Sequence, residues 1–438
     1  MPGPMPRRTL VSPVFPQLTT NMPAELKPDG AKSLQAALDE WSDKLPGVTL
    51  ALASTSGLLF SSSAGRYDVL DASSRALAED DVMWFASTTK LLTAVAYLQL
   101  VDRGVVSLDT DMRGKYAPLD AAASRIFTRL DESGTAQFVP NDKAVPLGAL
   151  LNQTSGFGME FGEQVQSYKT SADKGTGFVN SCKVENLINT PLMFEPGSTF
   201  QYGNSAEWLG LILPSLVGVS TEDYFQENIL RPLGMSNTTF YPFGEELKDR
   251  LVPLRFGGEH GYEVLTDQMP LLTLPRKTED IEYPVAGGGI YSTSRDYIKL
   301  LSHLLSHYAS LTGGAKRPES PLLSDASVWS LFSRSLPEAA LPAMATALSH
   351  FMGVDGLAAG EADWSTGMSL YLPADGRRAP NGRHAGSAGW GGAAGTTYWI
   401  DPVAGVAAVF STQTIPSSAP AVVAFKGAME RSVYAALA

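Results

Sequence analysis

A serine and a lysine three residues apart open the stretch of this chain with the clearest chemical potential. Ser87 and Lys90 begin an apolar run that extends to Val101 and is typical of a buried helix. Residues three apart share one helix face, so the two side chains are expected to be neighbours. A lysine whose pKa is lowered by burial and nearby dipoles can take the serine proton, and free N–H groups of a first helical turn stabilise an oxyanion. The alternative is a helix N-cap beside a solvated lysine.

A tyrosine and an asparagine form the second candidate. Tyr202 and Asn204 follow a proline–glycine turn signal at 194–198 and precede another apolar helical pattern. Residues two apart in an extended segment point the same way, so both side chains can face one cleft. A phenol near a lysine can relay a proton. Alone, the pair fits an aromatic strand residue and a helix N-cap equally well.

A glycine-rich segment at residues 383–393 is the third candidate, directly before two β-prone runs. Glycines allow a ligand to approach backbone N–H groups closely. We expect an edge strand beside the serine that completes an oxyanion hole, with an ordinary glycine-rich loop as the alternative. The sequence contains no Gly-x-Ser-x-Gly, His-Glu-x-x-His, Cys-x-x-Cys or phosphate-cradling motif. We therefore expect no metal and no cofactor, and interpret His303 and His307 as a helix face.

Composition restricts the class of protein. The 438 residues carry a net charge of −12, which disfavours nucleic acid and anionic membranes as partners. A single cysteine, Cys182, excludes an intrachain disulfide. The N-terminal residues lack the continuous apolar segment of a secretory signal, and the longest apolar stretch, 208–219, is too short to span a bilayer. These features favour a cytoplasmic enzyme.

The pattern of elements predicts three segments. Residues 1–27 are predicted to be an N-terminal arm, 28–108 plus 285–438 a sheet domain, and 109–284 a mostly helical insertion with few strands. A helix at 31–44, a hairpin at 48–63, a helix starting at Ser87, a hairpin at 396–412 and a C-terminal helix at 419–438 define the sheet domain. Strands at both chain ends suggest one sheet built from both termini.

The order of the three candidates resembles the serine β-lactamase and penicillin-binding-protein superfamily. The resemblance covers nearly the whole chain after residue 30. It is closest to the class C β-lactamase-like branch, which includes family VIII carboxylesterases and fungal lovastatin-type polyketide acyltransferases. Further matching runs are LLNQTSG at 150–156, with Gln153 where the family usually has histidine, RPLGM at 231–235 and GGGIYST at 287–293.

The resemblance implies the fold and the roles of the residues. It implies an α+β (α/β) fold, with an antiparallel sheet flanked by helices, a mostly helical lobe, and the active site between them. Ser87 would be the acylated nucleophile, with Lys90 and Tyr202 as the proton-relay pair and either of them the first base. The N–H groups of Ser87 and Ala393 would bind the oxyanion. The residues predicted to bind substrate are Asn204, which orients substrate or holds Lys90, and Phe157, Trp390, Gly391 and Gly392.

The third motif departs from β-lactamases, which carry Lys-Thr-Gly where this chain has Trp390-Gly391-Gly392. His384-Ala385-Gly386 is an alternative register. Without the lysine, no cation pairs with a substrate carboxylate, and an indole favours a neutral, apolar group. The resemblance therefore implies a serine esterase or acyltransferase acting on a small-molecule ester, with an alcohol as the acceptor in the second case. A β-lactamase, a D-aminopeptidase and a non-catalytic binding protein are the alternatives.

Overall fold

The computed structural model describes residues 23–160, 162–171, 177–258, 261–265, 274–354 and 356–438. Most of the predicted N-terminal arm, residues 1–22, therefore lies outside the described residues. Its last part is described, and Leu26 forms a bridge with Leu437 near the C-terminus.

The bounds of the helices and strands follow in chain order. The helices are α1 Gly30–Asp39, α2 Thr89–Asp102, α3 Ala117–Ala123, α4 Leu147–Leu151, α5 Glu163–Lys169, α6 Glu185–Ile188, α7 Ser205–Val217, α8 Thr221–Phe225, α9 Arg231–Leu233, α10 Ser294–Leu311, α11 Asp325–Leu331, α12 Leu341–Met352 and α13 Pro420–Ala436. The strands are β1 Val48–Ser54, β2 Gly57–Ala64, β3 Met83–Trp84, β4 Arg125–Leu130, β5 Ala136–Pro140, β6 Arg255–Gly258, β7 Gly261–Val264, β8 Tyr291–Ser292, β9 Ala362–Trp364, β10 Ser369–Tyr371, β11 Ala388–Gly392, β12 Thr396–Asp401, β13 Val406–Ser411 and β14 Thr414–Ile415.

A central antiparallel sheet joins the two ends of the chain, as predicted. Its strand order is β2-β1-β13-β12-β11-β10-β9. Side chains of β1 alternate between two cores: Leu50 and Leu52 pack with α1 and α13, whereas Ala51 and Ala53 face the other side. Helix α10 lies against β1 and β13 on that second side, where small alanine side chains allow close approach. Both faces of the sheet are therefore covered by helices.

Two details of this domain differ from the predictions. The first helix ends at Asp39 instead of residue 44, and the chain continues in turns to Gly47, whose φ is +61°. The glycine-rich strand β11 is internal and not an edge strand, because β10 and β9 lie beyond it. The pairing between β10 and β11 ends at Gly389, however, so residues 390–392 project past β10.

The insertion contains more strand than the sequence predicted. Strands β4 and β5 form a hairpin, and β6 pairs with both β7 and β14. Strand β4 shows no clear alternation of apolar and polar residues, because Phe127 is its single buried side chain and two of its exposed positions are arginines. That ring packs on Phe138 and Tyr168. The strand was missed because one buried aromatic residue among polar neighbours gives little periodicity.

Helix α2 carries the first candidate residues into the core. Every one of its residues from Thr89 to Leu100 is buried, which agrees with the prediction of a core helix. A single turn of 3-10 helix, Ala86–Thr88, precedes it, so the α-helix begins two residues after Ser87 instead of at the serine. Among the helices of the described residues, none combines the length and apolar character needed to cross a membrane.

Candidate active site

Ser87 stands at a sharp turn between a short strand and the core helix. It is the only residue from 81 to 100 that is not buried. The residue before it, Ala86, has a φ of +46°, a left-handed conformation that costs a non-glycine residue free energy. The turn is held to the start of α2, because the Ala86 carbonyl accepts a hydrogen bond from the Thr89 hydroxyl at 2.6 Å. Ser87 is thus the one residue of a strained turn that the core does not bury.

Lys90 is buried beneath that turn and is fully engaged. Its Nζ donates to the carbonyl oxygen of Gly287 at 2.7 Å and lies 3.5 Å from Oε1 of Glu207. Burial alone lowers the pKa of Lys90, but the Glu207 carboxylate and the Tyr202 phenol outweigh it and hold that pKa above its ordinary value. A lysine acts as the base only if its pKa is lowered, and Lys90 does not meet that condition, because of a buried counter-ion that the sequence did not reveal.

Tyr202 lies next to Lys90 and to the glycine-rich strand. The Lys90 Nζ is 4.8 Å from the centroid of its ring. The indole Nε1 of Trp390 donates a hydrogen bond to the Tyr202 hydroxyl at 3.0 Å, and the two rings are 4.9 Å apart. Phe351 and Trp364 complete an aromatic cluster around these two rings. A hydrogen-bond donor and a cation therefore both contact this one phenol.

The end of β11 lies directly against the turn that carries Ser87. A Cβ atom on Gly392 would be 2.4 Å from the carbonyl oxygen of Phe85 and 3.3 Å from the Cβ of Ala86. Only glycine allows this approach, which explains the residue type that the motif carries. Ala393 follows as the exposed first residue of the turn 393–395 between β11 and β12, whose other two residues are buried. The strand end and the serine turn are thus neighbours, as an oxyanion hole made of both requires.

The structure separates the two possible registers of the third motif. Trp390 contacts Tyr202, whereas His384 lies before β11 and bonds through Nδ1 to Asp401 at 2.9 Å. Tyr434 donates to the same carboxylate at 2.6 Å. The Trp390 register therefore brings the motif to the other candidates, and the His384 segment serves a separate hydrogen-bonding group.

The other predicted substrate-binding residues differ in their surroundings. Asn204 is buried, and its Nδ2 has no hydrogen-bond partner among the described residues. Phe157 is 1% exposed and stacks on Trp208 at 5.1 Å, so its side chain anchors the loop in the core. Trp390 is 2% exposed. The last two side chains thus present little surface to a ligand, and Asn204 keeps a free donor.

Gln153 replaces the histidine of the related motif and holds the tyrosine segment. Its backbone is left-handed, with φ at +65°. Its carbonyl oxygen accepts from the Gln201 amide at 3.1 Å, and its side-chain Oε1 accepts from the Gly203 amide at 3.1 Å. The residue therefore fixes the backbone on both sides of Tyr202.

Sequence reasoning missed two residues of this site. Glu207 lies in the first turn of α7, five residues after Tyr202, and its acidic type inside an apolar helix was a signal that went unused. The left-handed Ala86 gave no signal, since alanine does not predict positive φ. His303 and His307 belong elsewhere: His307 bonds to Asp325 at 2.9 Å, and the His303 Nε2 accepts from Leu322 at 3.1 Å. Among the described residues there is no group of three or more potential metal ligands.

The fold is that of the serine β-lactamase and penicillin-binding-protein class. Comparison with known proteins agrees: residues 31–429 match the family described as Beta-lactamase, and the chain belongs to that family. Acyltransferase calJ of Penicillium decumbens is 30% identical over 86% of each chain. Lovastatin esterase of Penicillium rubens is 28% identical over 74% of this chain and 77% of its own.

A solved structure supports the same fold. Unliganded simvastatin synthase from Aspergillus terreus superposes with a TM-score of 0.77, at 23% identity, covering 93% of this chain and 99% of that one. The predicted fold and family are therefore confirmed. Within the family the chain is an enzyme of the esterase and acyltransferase type, as its curated relatives are.

Proposed function

We propose that this enzyme transfers an acyl group from a neutral small-molecule ester to Ser87, and from there to water or an alcohol. The observation that carries the proposal is the contact chain from Trp390 through Tyr202 to Lys90, which lies one helical turn from Ser87, the one residue of the core turn that is not buried. Such a chain supplies a proton acceptor to a serine that is otherwise a poor nucleophile.

The proposed acylation step uses Tyr202 as the base. The Ser87 Oγ attacks the ester carbonyl carbon while its proton passes to the phenolate oxygen of Tyr202. The tetrahedral intermediate collapses, the ester C–O bond breaks, and the leaving alkoxide takes the proton from Tyr202. Lys90, held as an ammonium, stabilises the phenolate before attack. Water or an alcohol then repeats the sequence on the acyl-enzyme, which restores Ser87.

Two further groups are assigned to the substrate oxygens. The N–H groups of Ser87 and Ala393 are proposed to bind the oxyanion, in keeping with the close approach of β11 to the serine turn. The unpartnered Nδ2 of buried Asn204 is proposed to donate to a polar group of the acyl chain. A buried donor without a partner costs free energy, and a bound substrate would recover it.

The substrate is proposed to be a neutral ester of a secondary metabolite. No lysine occupies the third motif, where related β-lactamases carry a cation for a carboxylate. Lovastatin esterase and the acyltransferases among the relatives support a polyketide-like ester. The proposal leaves both outcomes of the acyl-enzyme open, since hydrolysis and transfer use the same residues.

The test combines a nucleophile probe with an ester series. Wild type, Ser87→Ala and the exposed control Ser198→Ala are incubated with p-nitrophenyl esters of two to eight carbons, and separately with a fluorophosphonate probe followed by intact mass. We expect hydrolysis and one phosphonyl adduct in wild type and in the control, and neither in Ser87→Ala. Equal activity of Ser87→Ala and wild type would contradict the assignment and favour a non-catalytic binding protein.

Two additions to the assay separate the remaining outcomes. A chromogenic cephalosporin tests the β-lactamase alternative, and we expect no ring opening beyond that of Ser87→Ala. A bulky secondary alcohol added to the acyl-enzyme tests transfer, because a new ester in the product mixture identifies an acyltransferase. Free acid alone identifies an esterase.

A further inference from the structure

Glu207 is a buried carboxylate placed within reach of the active-site lysine. It lies one turn after Tyr202, at the start of α7, and is 5% exposed. Its Oε1 is 3.5 Å from Lys90 Nζ, and its Oε2 has no hydrogen-bond partner among the described residues. Burying a carboxylate is costly unless a cation compensates it. The lysine is the cation that this carboxylate contacts.

The segment at residues 286–287 packs closely against this carboxylate. A Cβ atom on Gly287 would lie 2.0 Å from Oε1 of Glu207, so the glycine leaves the space that the carboxylate fills. The same glycine accepts the hydrogen bond from Lys90 through its carbonyl oxygen. The neighbouring Ala286 carbonyl accepts from Thr93 at 2.6 Å and fixes this segment on α2. Lysine, carboxylate and carbonyl thus form one compact unit.

The other titratable groups around the unit are few. Tyr202 faces Lys90 from the segment before α7. Burial raises the pKa of both Tyr283 and Glu160, and the nearby charge of Glu207 raises both further. Tyr283 is therefore neutral at ordinary pH. Glu160 has its own cation, Lys169, at 3.5 Å. Glu207 is consequently the carboxylate that compensates the charge of Lys90.

We propose that Glu207 is a positioning residue that keeps Lys90 as an ammonium ion, so that the phenol oxygen of Tyr202, and not the lysine amine, receives the proton of Ser87. This inference rests on the proposed function and assigns the first base, which the sequence left open between two residues. The buried 3.5 Å ion pair and the glycine that accommodates it are the observations that carry it.

The electrostatic consequence has a definite sign. Glu207 raises the pKa of Lys90, whereas burial opposes it, so removing the carboxylate charge lets burial dominate. The charges of Lys90 and Glu207 are 3.5 Å apart. At an effective dielectric constant of about 20, their interaction is strong enough to shift the pKa of the lysine by about one to three pH units. A lysine that loses its proton at lower pH no longer stabilises the Tyr202 phenolate above that pH. The alkaline limb of the pH–rate profile must therefore move to lower pH.

The experiment compares the pH dependence of kcat/KM for wild type, Glu207→Gln, Glu207→Asp and Glu430→Gln, between pH 5 and 10.5, with p-nitrophenyl butyrate. Glu430 is the matched control, because it is a fully buried glutamate of α13 that pairs with Arg383 from the segment before β11. We expect the alkaline limb of Glu207→Gln to move down by about one to three pH units. Glu430→Gln should keep the wild-type limb, whatever its stability.

Glu207→Asp keeps the negative charge, and it distinguishes the loss of that charge from structural damage caused by changing Glu207. We expect it to retain the wild-type alkaline limb at a reduced rate, because the shorter side chain moves the carboxylate away from Lys90. A Glu207→Gln profile whose limbs coincide with wild type would overturn the inference. So would a shift of equal size in both Glu207 variants, which would indicate lost packing. The activity of Ser87→Ala tests the proposed function separately.

Discussion

Replacing Trp390 by phenylalanine tests whether the indole acts on Tyr202 or on the substrate. The change removes one N–H donor, at 3.0 Å from the tyrosine hydroxyl, and keeps an aromatic ring in the cluster with Phe351 and Trp364. A hydrogen bond to a charged group contributes about 1.5–3 kcal/mol. In the proposed mechanism the Tyr202 oxygen carries a negative charge as the base, so at about 1.4 kcal/mol for each factor of ten the lost hydrogen bond corresponds to about 10- to 150-fold in rate.

The assay is steady-state hydrolysis of p-nitrophenyl esters with two, four and eight carbons in the acyl chain. We expect kcat to fall by about 10- to 150-fold at every chain length, with KM changed little, because the lost hydrogen bond acts in the chemical step. If Trp390 instead forms the wall of the acyl pocket, the loss should depend on chain length and appear in KM. The two roles thus give different patterns across one series.

Trp399→Phe is the matched control for the loss of a buried indole. Trp399 lies on the neighbouring strand β12, is fully buried, and its Nε1 has no hydrogen-bond partner in the described part of the chain. We expect its kcat to stay within about twofold of wild type, because no hydrogen bond of that N–H is lost. The reasoning fails if Trp390→Phe keeps its activity, or if both variants lose activity equally.

Two further changes test the oxyanion strand and a buried carboxylate. Gly392→Ala should lower kcat by about 10²- to 10³-fold, because its Cβ would stand 2.4 Å from the Phe85 carbonyl oxygen and displace the donor strand. Gly244→Ala, whose Cβ meets no atom of the described residues within 4 Å, should be neutral, and equal effects of the two changes on ester hydrolysis would contradict this. Burial raises the pKa of Glu160 to about 7, so the wild type loses stability as pH rises from about 4.5 to 7, where the unfolded chain has released this proton and the native state retains it. Relative to wild type, Glu160→Gln should therefore gain about 2 kcal/mol in free energy of unfolding between pH 5 and 8.5 in urea titrations, and a constant difference between the variants would contradict this.

The central fold was predictable because its elements carry strong local patterns. The apolar run of α2 predicts a buried helix, and the two β-prone runs that form β12 and β13 predict strands. The hairpin β4–β5 did not, since its buried surface rests mainly on Phe127. Helix α1 was predicted too long because Trp41 continues its apolar spacing, although the chain there is already in turns. Periodicity reports which face is buried, and it does not report where the backbone stops being helical.

The sequence predicted which residue types form the candidate site. It did not predict their protonation states or the directions of their side chains. The order of Ser87, Tyr202 and Trp390 in the sequence indicated which residues meet, and the contacts between Tyr202 and Trp390 agree with that order. Whether Trp390 faces a ligand or the tyrosine depends on a side-chain direction that no spacing determines. Its 2% exposure and its hydrogen bond show that the indole contacts the tyrosine.

The protonation state of Lys90 depends on a residue more than a hundred positions away in sequence, which the spacing within the motif does not reveal. Burial alone would lower the pKa of the lysine, but Glu207 reverses the sign. A serine–lysine motif therefore specifies a neighbour pair without specifying which partner is the base. That choice follows from whichever charge the fold brings to the lysine, and in this chain the fold brings a carboxylate.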